Sequence, residues 1–481
     1  MVSTLDHPDK PSSVPRIEEV GALLAEGPAR EVQLEVAHLL NRGRNLVFPG
    51  AQPVSFTRQH LAELKRRDYY VCEKSDGIRC LLYFTEALDR EWDGPGQRMK
   101  EAHYLIDRKN NCYYVESLHF PLAAEPPAKQ IDFASYHART LLDGELLIDT
   151  YPDGREVLKY LVFDCLVMDG QDLLSRTLDK RLAYFNEKVY VPYTALCQKF
   201  PEDSSGFRFK MEKKSFQLAY GTEMMFKDIL PKLKHGSDGL IFTCRETPYK
   251  FGTDEHILKW KPAWENTIDF KLELTFPPIE GQNGGDMDGT SENDGGGGAW
   301  EYEYDAMPTF TLHVEYGDSR HTKELEYTLH MTPAEWDAMK QHAIEINDGL
   351  DGAIVECHRE EDGTWHFNRF REDKSTANHY TVVEKVLDSI EDGVTEGELL
   401  ADAADVRKEW KRRQAEEEEK MRRARDRERE REAEEKARRA RVEAGKRKTD
   451  LDANEGGEKR VRQMDFDSGD VGDESSVKTE E

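Results

Sequence analysis

The fold of this chain is constrained most by a run of apolar, strand-like segments between Tyr69 and about Ile241. The segments are YYVCEK, IRCLLYF, AHYLID, CYYVE, TLLDGELLID and LKYLVFDCLVM, and two more follow, GLIFTC and ILKWKP. Helical patterns intervene near residues 176–189 and 223–234. We therefore expect an α+β domain over residues 16–262 that is built mainly from strands.

A second β unit follows Pro262. TIDFKLELTF alternates in polarity and predicts a strand, TFTLHVEY and ELEYTLHM predict a hairpin, and GAIVECHR and WHFNRFRED predict two closing strands. TPAEWDAMKQHA begins with a helix N-cap signal. The unit has roughly 130 residues, a size that suits a small barrel such as an OB-fold. We expect it over residues 263–395, with a disordered insertion near 280–299 that is acidic and rich in glycine.

Charge separates an acidic globular part from a mixed tail. The sequence has a formal net charge of −28. Residues 407–448 hold 19 Lys/Arg and 12 Asp/Glu, and residues 449–481 hold 4 and 11, so their net charges of +7 and −7 cancel and residues 1–406 carry the full −28. A globular part this acidic is not a general binder of phosphate backbones, and we expect any nucleic acid to bind in one local basic cleft.

The two ends of the chain are predicted to differ. Residues 1–15 are polar and rich in proline, which predicts disorder, and a helical pattern runs from Ile17 to about Arg42. Residues 396–481 are predicted to form a charged helix and then a disordered tail, because Arg and Lys alternate with Glu without a heptad seam. The clusters GKRK and EKRVR in this tail suit a nuclear import signal.

The cysteines and the apolar runs indicate a soluble protein of a reducing compartment, either the cytosol or the nucleus. The seven cysteines form no C-x-x-C pair, which argues against a zinc site or a disulfide framework. No apolar run approaches the roughly 18–20 residues that a membrane-spanning helix needs, and the N-terminus has no signal segment. We expect no association with a membrane.

One lysine, Lys74, stands inside the apolar stretch YYVCEKSDGIRCLLYF. For a lone strand lysine, the ordinary interpretation is a packed stem with a solvated ammonium group. The alternative is a nucleophile, because an amine held among cations in a cleft loses its proton more easily and can attack phosphorus or carbonyl carbon. The residues further along the chain decide between these two interpretations.

Four of the Asp-Gly pairs in the sequence begin at Asp76, Asp143, Asp238 and Asp351. Asp-Gly is the commonest hairpin-turn signal, so each pair by itself predicts a turn. Their neighbours are more informative: LLDGELLID would place Glu145 directly after a turn, and SDGLIF places a carboxylate just before an apolar strand.

Two groups of cations follow. Lys259 and Lys261 are two apart in ILKWKP and are expected on one strand face, where they would repel each other unless an anion lies between them. NRFREDKSTANH adds Arg369, Arg371 and Lys374. Alone it suggests a solvated charged turn, but its two arginines share a face, and such pairs suit bidentate binding of phosphate.

An attacking lysine, two carboxylates, a lysine pair and a distal Arg/Lys cluster together form the set that nucleotidyl transfer needs. The lysine would attack an α-phosphate, and the cations would stabilise charge on the phosphate oxygens and on leaving pyrophosphate. The carboxylates would help to position a divalent metal that the substrate phosphates mostly hold.

The sequence resembles the covalent nucleotidyltransferases, and within them the eukaryotic mRNA capping guanylyltransferases, most closely the fungal single-activity type. Six family motifs occur in order: KSDGIR, LLDGELLID, YLVFDCL, SDGLIF, ILKWKP and RFREDK, and FPGAQPVSF resembles the segment before the first. The resemblance covers about residues 20–390. It implies an α+β fold, with a ligase-type (ATP-grasp-like) nucleotidyltransferase domain of antiparallel sheets and a C-terminal OB-fold barrel. It also implies an enzyme that forms a lysine–GMP intermediate from GTP and transfers GMP to the 5′-diphosphate end of nascent RNA.

The resemblance assigns roles residue by residue. Lys74 would form the phosphoamide bond to GMP. Ser75, where the family usually has threonine, would touch guanine with its hydroxyl, and Lys214 or its neighbour Lys213 would reach the base. Glu145 and Asp238 would act indirectly on Mg²⁺ or Mn²⁺. The resemblance also implies that Arg79 and Glu145 contact the ribose, that Arg108 contacts the sugar and phosphates, and that Phe163 stacks on the guanine face. Asp238 would act near the metal and phosphates. Lys259 and Lys261 would contact the α-phosphate, and Arg369, Asp373 and Lys374 would contact the β- and γ-phosphates.

The same resemblance implies partners and a place of action. The RNA 5′ end, the phosphorylated C-terminal domain of RNA polymerase II and a nuclear location are expected. No segment upstream of Lys74 resembles a Cys-x5-Arg phosphatase loop, so we expect a separate RNA 5′-triphosphatase subunit. The cleft is expected to close for the first step and to reopen for RNA, since the last motif lies far along the chain from the lysine pair.

Two other functions remain open at this point. An ATP-dependent polynucleotide ligase shares the lysine and the cleft, although LKWKP and the Arg-x-Asp-Lys ending of RFREDK resemble the capping versions of these motifs. A non-catalytic relative that docks RNA or polymerase is the second alternative. The presence of Lys74, Glu145, Asp238 and the lysine pair argues against it, since loss of activity would normally erode these residues.

Overall fold

In a computed structural model of the protein, the described residues are 14–89, 93–123, 131–262, 265–279, 302–317, 326–346, 349–360 and 362–464, without the side chains of 344–346 and 443–464. The disorder predicted for the insertion near 280–299, for nearly all of residues 1–15 and for the last residues of the tail falls outside the described residues. The chain forms two units, Met1–Glu409 and Trp410–Glu481.

Strands dominate the first unit. In chain order they are β1 (Ala22–Leu23), β2 (Ala51–Ser55), β3 (Tyr69–Ser75), β4 (Ile78–Leu88), β5 (Met99–Asp107), β6 (Cys112–Val115), β7 (Pro121–Leu122), β8 (Asp132–Tyr136), β9 (Thr140–Thr150), β10 (Glu156–Met168), β11 (Gln171–Asp172), β12 (Lys210–Lys213), β13 (Gln217–Leu218), β14 (Ser237–Cys244), β15 (Gly252–Trp260), β16 (Thr267–Thr275), β17 (Thr309–His313), β18 (Glu326–His330), β19 (Ile354–Arg359) and β20 (Trp365–Phe370).

The α-helices are α1 (Ile17–Val20), α2 (Glu26–Leu39), α3 (Arg58–Arg66), α4 (Leu178–Tyr184), α5 (Val191–Lys199), α6 (Pro201–Ser205), α7 (Thr222–Met224), α8 (Pro333–Ile346), α9 (Tyr380–Glu391) and α10 (Glu396–Met464). Short π-helical and 3₁₀ turns connect several of them. The single helix predicted from Ile17 to about Arg42 is wrong, because the chain leaves the helix at Gly21 and pairs with β6 as the edge strand β1. A Cβ at Gly21 would lie 3.0 Å from the carbonyl oxygen of Tyr114.

Eight strands form a large sheet in the order β1-β6-β5-β4-β9-β10-β11, with β12 alongside β10. Its pairs are antiparallel except for β10 with β12. Both faces of this sheet are buried, each under a separate hydrophobic core. Because alternate residues of a strand point to opposite faces, one strand contributes to both cores. On β4, Leu82 and Phe84 pack in a core with residues of α5, whereas Leu81 and Tyr83 pack in a second core with residues of α2.

A smaller sheet has the strand order β13-β3-β14-β15-β2. The chain leaves it after β3 and enters the large sheet as β4 through the pair Asp76-Gly77, so these two residues cross between sheets instead of closing a hairpin. The turns predicted at Asp143 and Asp238 are also wrong, because these residues lie inside β9 and β14. The crossing brings the end of β3 and the start of β4 to the place where the two sheets meet.

The second β unit is a closed barrel of five strands in the order β16-β17-β18-β20-β19. This confirms the predicted OB-fold type of barrel, and β17 and β18 pair antiparallel as the predicted hairpin. The helix signal is also confirmed: before α8, the Thr332 amide donates to Glu335 and the Glu335 amide donates to the Thr332 hydroxyl, which forms a capping box.

After the barrel the chain returns to the small sheet through a segment that we call the return segment, residues 392–409. Val394, Leu399 and Val406 pack in one core with Trp260 and other residues of the small sheet. The Trp260 indole Nε1 donates to the carbonyl oxygen of Val394 at 2.6 Å. The barrel is therefore joined to the first domain at both of its ends.

In the second unit, α10 continues as a charged helix whose side chains are exposed from residue 415 to residue 442. Pairs spaced four residues apart, such as Arg412 with Glu416 at 2.6 Å, decorate its surface as predicted. Across the described residues, none of the helices has both the length and the apolar character that crossing a membrane requires. The seven cysteines are free thiols, and six of them are buried.

Candidate active site

The two sheets line a cavity of about 420 Å³, a volume typical of small-molecule sites. Nine of the residues that sequence comparison singled out line it: Lys74, Ser75, Arg79, Arg108, Glu145, Phe163, Lys214, Lys259 and Lys261. Asp238 lies at its edge and contacts two of these lysines. These nine residues come from segments that are up to 187 positions apart in the sequence.

Lys74 is held by a carboxylate. Its Nζ donates to Asp238 Oδ1 at 2.7 Å and to Oδ2 at 2.9 Å, and Lys261 Nζ lies 2.6 Å from the same Oδ2. In the pairing of β14 with β3, Asp238 and Gly239 together oppose Lys74, which is a β-bulge that turns the carboxylate toward the amine. Burial opposes ionisation of Asp238, but Lys261 and Lys74 outweigh it and lower the pKa of Asp238.

Gly239 permits this arrangement. Its φ is 155°, and a Cβ at this position would lie 2.1 Å from the carbonyl oxygen of Trp260. Only glycine allows β14 and the end of β15 to approach so closely, and this approach brings Lys261 to Asp238.

The two lysines of ILKWKP differ in their partners. Although β15 ends at Trp260, both Lys259 and Lys261 line the cavity. Lys261 is paired with Asp238, whereas Lys259 has no ion pair with a carboxylate among the described residues. Burial, and then the charges of Lys261 and Lys74, lower the pKa of Lys259. Lys259 is therefore a destabilised cation that an anionic ligand in the cavity would stabilise.

Arg79 is fixed by a carboxylate that the sequence analysis did not assign to the site. Its Nε and Nη2 donate to Asp143 Oδ1 and Oδ2 at 3.1 and 2.7 Å, and the Tyr249 hydroxyl donates to the same Asp143 at 2.7 Å. Glu145 pairs directly opposite Arg79 in the register of β4 with β9. A signal for Asp143 exists: in one continuous strand, Asp143, Glu145 and Asp149 share a face, and the predicted turn concealed it.

Phe163 reaches the cavity because β10 is irregular. Val162 pairs with Gly144 and Asp164 pairs with Asp143, so Phe163 is the extra residue of a bulge. The Arg79 guanidinium lies 5.4 Å from the centre of its ring. The ring is thus oriented by a cation on one side and lines the cavity on the other.

The structure distinguishes the two candidate lysines at the end of β12. Lys214 is buried in the cavity wall, where its Nζ donates to the Ser75 hydroxyl and lies 3.0 Å from Glu73 Oε1. Lys213 is exposed and donates to Asn186 Oδ1 at 3.0 Å. Of this pair, Lys214 is therefore the one placed to contact a ligand in the cavity.

The cluster of the last motif lies on the barrel, and its members do not line the cavity. Arg369 donates to Glu356, Lys374 donates to Asp269, and Arg371 bonds Asp269 and Asp373, each at 2.9 Å. A hydrogen bond from Arg371 lowers the pKa of Asp373 to about 2. Each of these cations already has a carboxylate partner.

A metal would find few protein ligands here. Within the described residues, no group of three or more His, Cys, Asp or Glu side chains is placed to hold an ion. Asp238 and Glu145 offer one carboxylate each, and burial raises the pKa of Glu145, which weakens it as a ligand. These residues fit a divalent ion whose other ligands are the phosphates of a bound nucleotide.

Comparison with known proteins identifies the family. The sequence model of the family "mRNA capping enzyme, catalytic domain" matches residues 18–263, and that of the family "mRNA capping enzyme, C-terminal domain" matches residues 265–400. The mRNA-capping enzyme subunit alpha of Neurospora crassa is 42% identical over 85% of this chain and 98% of its own length. The corresponding protein of Schizosaccharomyces pombe is 40% identical over 83% and 90%.

A solved structure, "mycobacterial DNA ligase D complexed with ATP and MES", aligns with 68% of this chain and 95% of its own at 15% identity, with a TM-score of 0.30. The first family model covers the residues that line the cavity, the second covers the barrel, and the alignments with the fungal relatives include both regions. The chain belongs to the mRNA capping enzyme family.

Proposed function

We propose that this protein is an mRNA guanylyltransferase, in which Lys74 takes GMP from GTP and passes it to the 5′-diphosphate end of nascent RNA. The observation that carries the proposal is the position of Lys74 Nζ in the cavity, hydrogen-bonded to Asp238 and accompanied by Lys259 and Lys261. Residues 16–262 would bind the nucleotide and carry out the chemistry, and residues 263–395 would contribute the last motif.

In the first step, the lone pair of Lys74 Nζ attacks the α-phosphorus of GTP. A phosphorus–nitrogen bond forms, the bond from the α-phosphorus to the bridging oxygen breaks, and pyrophosphate leaves with its electron pair, while the amine releases a proton to solvent. Asp238 fixes the direction of Nζ by accepting its hydrogen bonds. Lys259 and Lys261 stabilise the negative charge that builds up on the α-phosphate oxygens.

The cavity wall would hold the nucleoside. The Lys214 ammonium and the Ser75 hydroxyl lie together and can donate to the guanine O6, and Phe163 supplies a ring on which the base can stack. Glu145 would accept hydrogen bonds from ribose hydroxyls, and Arg79 would contact the ribose from its fixed position. Arg108, which is exposed at the rim and contacts Gln52 at 3.4 Å, would reach the sugar and phosphates.

Mg²⁺ or Mn²⁺, when bound with the nucleotide, would neutralise phosphate charge, and Asp238 and Glu145 are the side chains placed to assist it. The donor set described above supports this limited role for the protein.

The barrel would act only in the first step. Arg369, Asp373 and Lys374 would engage the β- and γ-phosphates when the barrel closes over the cavity. In the second step a terminal phosphate oxygen of the RNA attacks the lysine-bound phosphorus, and the Lys74 nitrogen leaves. No β- and γ-phosphates of GTP remain at that point, so the barrel opens and admits the RNA end.

The relatives are named subunit alpha, which supports a partner subunit in a capping complex. We propose that this partner is an RNA 5′-triphosphatase, that the complex works in the nucleus, and that it engages the phosphorylated C-terminal domain of RNA polymerase II.

The proposal is tested by incubating the purified chain with GTP or ATP labelled at the α-phosphate, in the presence of Mg²⁺ or Mn²⁺. We expect a covalent adduct with GTP that survives denaturing electrophoresis and alkali but is cleaved by acid, as a phosphoamide bond is. An adduct with ATP alone would identify a ligase-type enzyme, and no adduct with either nucleotide would identify a non-catalytic relative.

A further inference from the structure

A chain of charged side chains runs from the cavity through the interior of the first domain and ends at Glu212, whose side chain is 42% exposed. Neighbouring members carry opposite charge when the histidine is protonated, and the distances between them are 3.0, 3.7, 2.7, 2.7 and 2.7 Å. We call it the buried charge chain, and its members in order are Lys214, Glu73, His235, Asp149, Lys159 and Glu212.

The members next to the cavity are almost inaccessible to water. The side chains of Lys214, Glu73 and His235 are 3%, 5% and 9% exposed. Burial alone would lower the pKa of Lys214, but Glu73, together with Cys72 and Glu145, outweighs it and the pKa is raised. Burial alone would raise the pKa of Glu73, but Lys214 and then His235 outweigh it and the pKa is lowered. Each charge therefore persists because of its neighbours.

The contacts of Lys214 leave one donor for a ligand. An ammonium group has three N–H bonds. One is directed to Glu73 and one to the Ser75 hydroxyl, and the residue lines the cavity. The third is therefore available to an acceptor in the cavity, and the first two determine its direction.

His235 is placed to hold this arrangement from behind. Its Nδ1 is 2.7 Å from Asp149 Oδ1, and its Nε2, which has no hydrogen-bond partner among the described residues, faces Glu73 at 3.7 Å. The backbone on either side is pinned: the Thr150 amide donates to the Lys234 carbonyl at 2.7 Å, and the Asp76 amide donates to the Gly236 carbonyl at 2.9 Å. His235 is thus tied both to the strand of Asp149 and to the residues that follow Lys74.

We propose that Glu73 and His235 are positioning residues that keep Lys214 charged and directed at the base, and so set the preference for guanine over adenine. The inference rests on the proposed function. Guanine presents the O6 acceptor where adenine presents the N6 amino donor, so a charged lysine matches the first and opposes the second. A neutral lysine amine can accept a hydrogen bond from N6. Loss of the Glu73 charge would therefore weaken the interaction with guanine O6 and also remove the repulsion of adenine N6.

The test compares adduct formation with GTP and with ATP by the full chain and by variants, with KM and the rate at saturation measured for each nucleotide. Glu73→Gln removes the charge, Glu73→Asp keeps it, and His235→Asn removes the supporting ring. His137→Asn is the matched control, because His137 is also buried and lies 2.8 Å from an aspartate, Asp169, but is remote from the cavity lining.

The readout is the ratio of kcat/KM for GTP to kcat/KM for ATP, which is independent of the fraction of each preparation that is folded. We expect Glu73→Gln to lower this ratio by about 10-fold or more, mainly through KM for GTP, and His235→Asn by roughly 3- to 10-fold. Glu73→Asp should keep most of the discrimination, and His137→Asn all of it.

A ratio within about twofold of the wild-type value for both Glu73→Gln and His235→Asn overturns the inference while Lys74-dependent labelling still supports the proposed function. An equal change in His137→Asn also overturns it, because the effect is then not specific to the buried charge chain. A wild-type chain that forms no adduct with either nucleotide overturns both proposals.

Discussion

The cavity and the barrel each contain a group of basic side chains, but the two groups differ in how many carboxylate partners they have. In the cavity, Lys259 has no ion pair with a carboxylate in the part of the chain that the structure describes, and one carboxylate, Asp238, pairs with two lysines. On the barrel, Arg369, Arg371 and Lys374 are each bonded to a carboxylate of the barrel itself. The cavity therefore has unsatisfied positive charge before any ligand arrives, whereas the barrel has to exchange one anionic partner for another. Nucleotide binding should depend strongly on the first region and more weakly on the second.

The largest effect should come from the nucleophile. Lys74→Ala removes the attacking nitrogen, and we expect adduct formation with GTP to fall on the order of 10⁴-fold or more, to background in a labelling gel. Lys213→Ala is the control, since this exposed neighbour of Lys214 lies outside the cavity. An adduct that persists in Lys74→Ala would show that another side chain carries the nucleotide.

The next effect concerns Lys259, the cavity lysine for which the described residues provide no ion-pair partner. Lys259→Ala should slow adduct formation by about 10²- to 10³-fold, because the charge developing on the α-phosphate loses a preorganised donor. Lys250→Ala, an exposed lysine that is 4.0 Å from Glu255, should leave the rate unchanged. If single-turnover rates of the two variants are equal, Lys259 has no role in the chemical step and the contrast between the two regions is lost.

The barrel should show a smaller effect that is confined to one step. We expect Lys374→Ala to slow adduct formation from GTP by roughly 10- to 10²-fold, because a charge-assisted contact to the leaving phosphates is lost. Transfer of GMP from preformed adduct to diphosphate-ended RNA should change little, because those phosphates have already left. Arg359→Ala, which alters a barrel arginine outside the motif, serves as the control. Equal slowing of both steps by Lys374→Ala would contradict a role limited to the first.

The smallest expected effect concerns the stability of the fold. It compares two carboxyl groups whose pKa is lowered to about 2, one buried in the first domain and one exposed on the barrel. The pKa of buried Asp149 is lowered to about 2, chiefly by His235 and Lys159 against the opposing effect of burial, and that of exposed Asp373 is lowered to about 2 by Arg371. Because the folded protein binds the proton of Asp149 more weakly than the unfolded chain does, this stabilisation is complete above pH 3.8 and is lost as the pH falls toward 2.

At pH 7, Asp149→Asn should therefore lower the free energy of unfolding by about 2 kcal/mol in a denaturant titration. Asp373→Asn should have no measurable effect, since solvent screens an exposed pair. A larger loss of stability in Asp373→Asn than in Asp149→Asn would reverse the expected contrast between the buried and the exposed group.

Much of the architecture could be predicted because it follows local patterns. The strands, the barrel hairpin and the capping box at Thr332 each depend on alternation or on residues a few positions apart. The resemblance to a known family then pointed to nine residues that do line one cavity, although their individual roles remain proposals.

What sequence reasoning missed depends on contacts between distant segments. The Asp-Gly turn signal at Asp143 is overridden because its neighbours pair on both sides within a sheet. The choice between Lys213 and Lys214 is decided by the end of β12, and the exposure of Phe163 is decided by a bulge in β10. Glu73 and His235 gave no signal, since a charged residue beside Lys74 and a loop histidine are ordinary until their burial is known.

The two connections of the barrel have a consequence for how the enzyme is built. Since the return segment contributes Val394, Leu399 and Val406 to the core under Trp260, the barrel is an insertion within the catalytic domain and not an appendage at its end. A shortened protein that stops after α9 would lack these three side chains, and the core of the small sheet would be exposed to solvent. Because the chain is anchored in the first domain both before and after the barrel, two covalent connections hold the barrel to that domain.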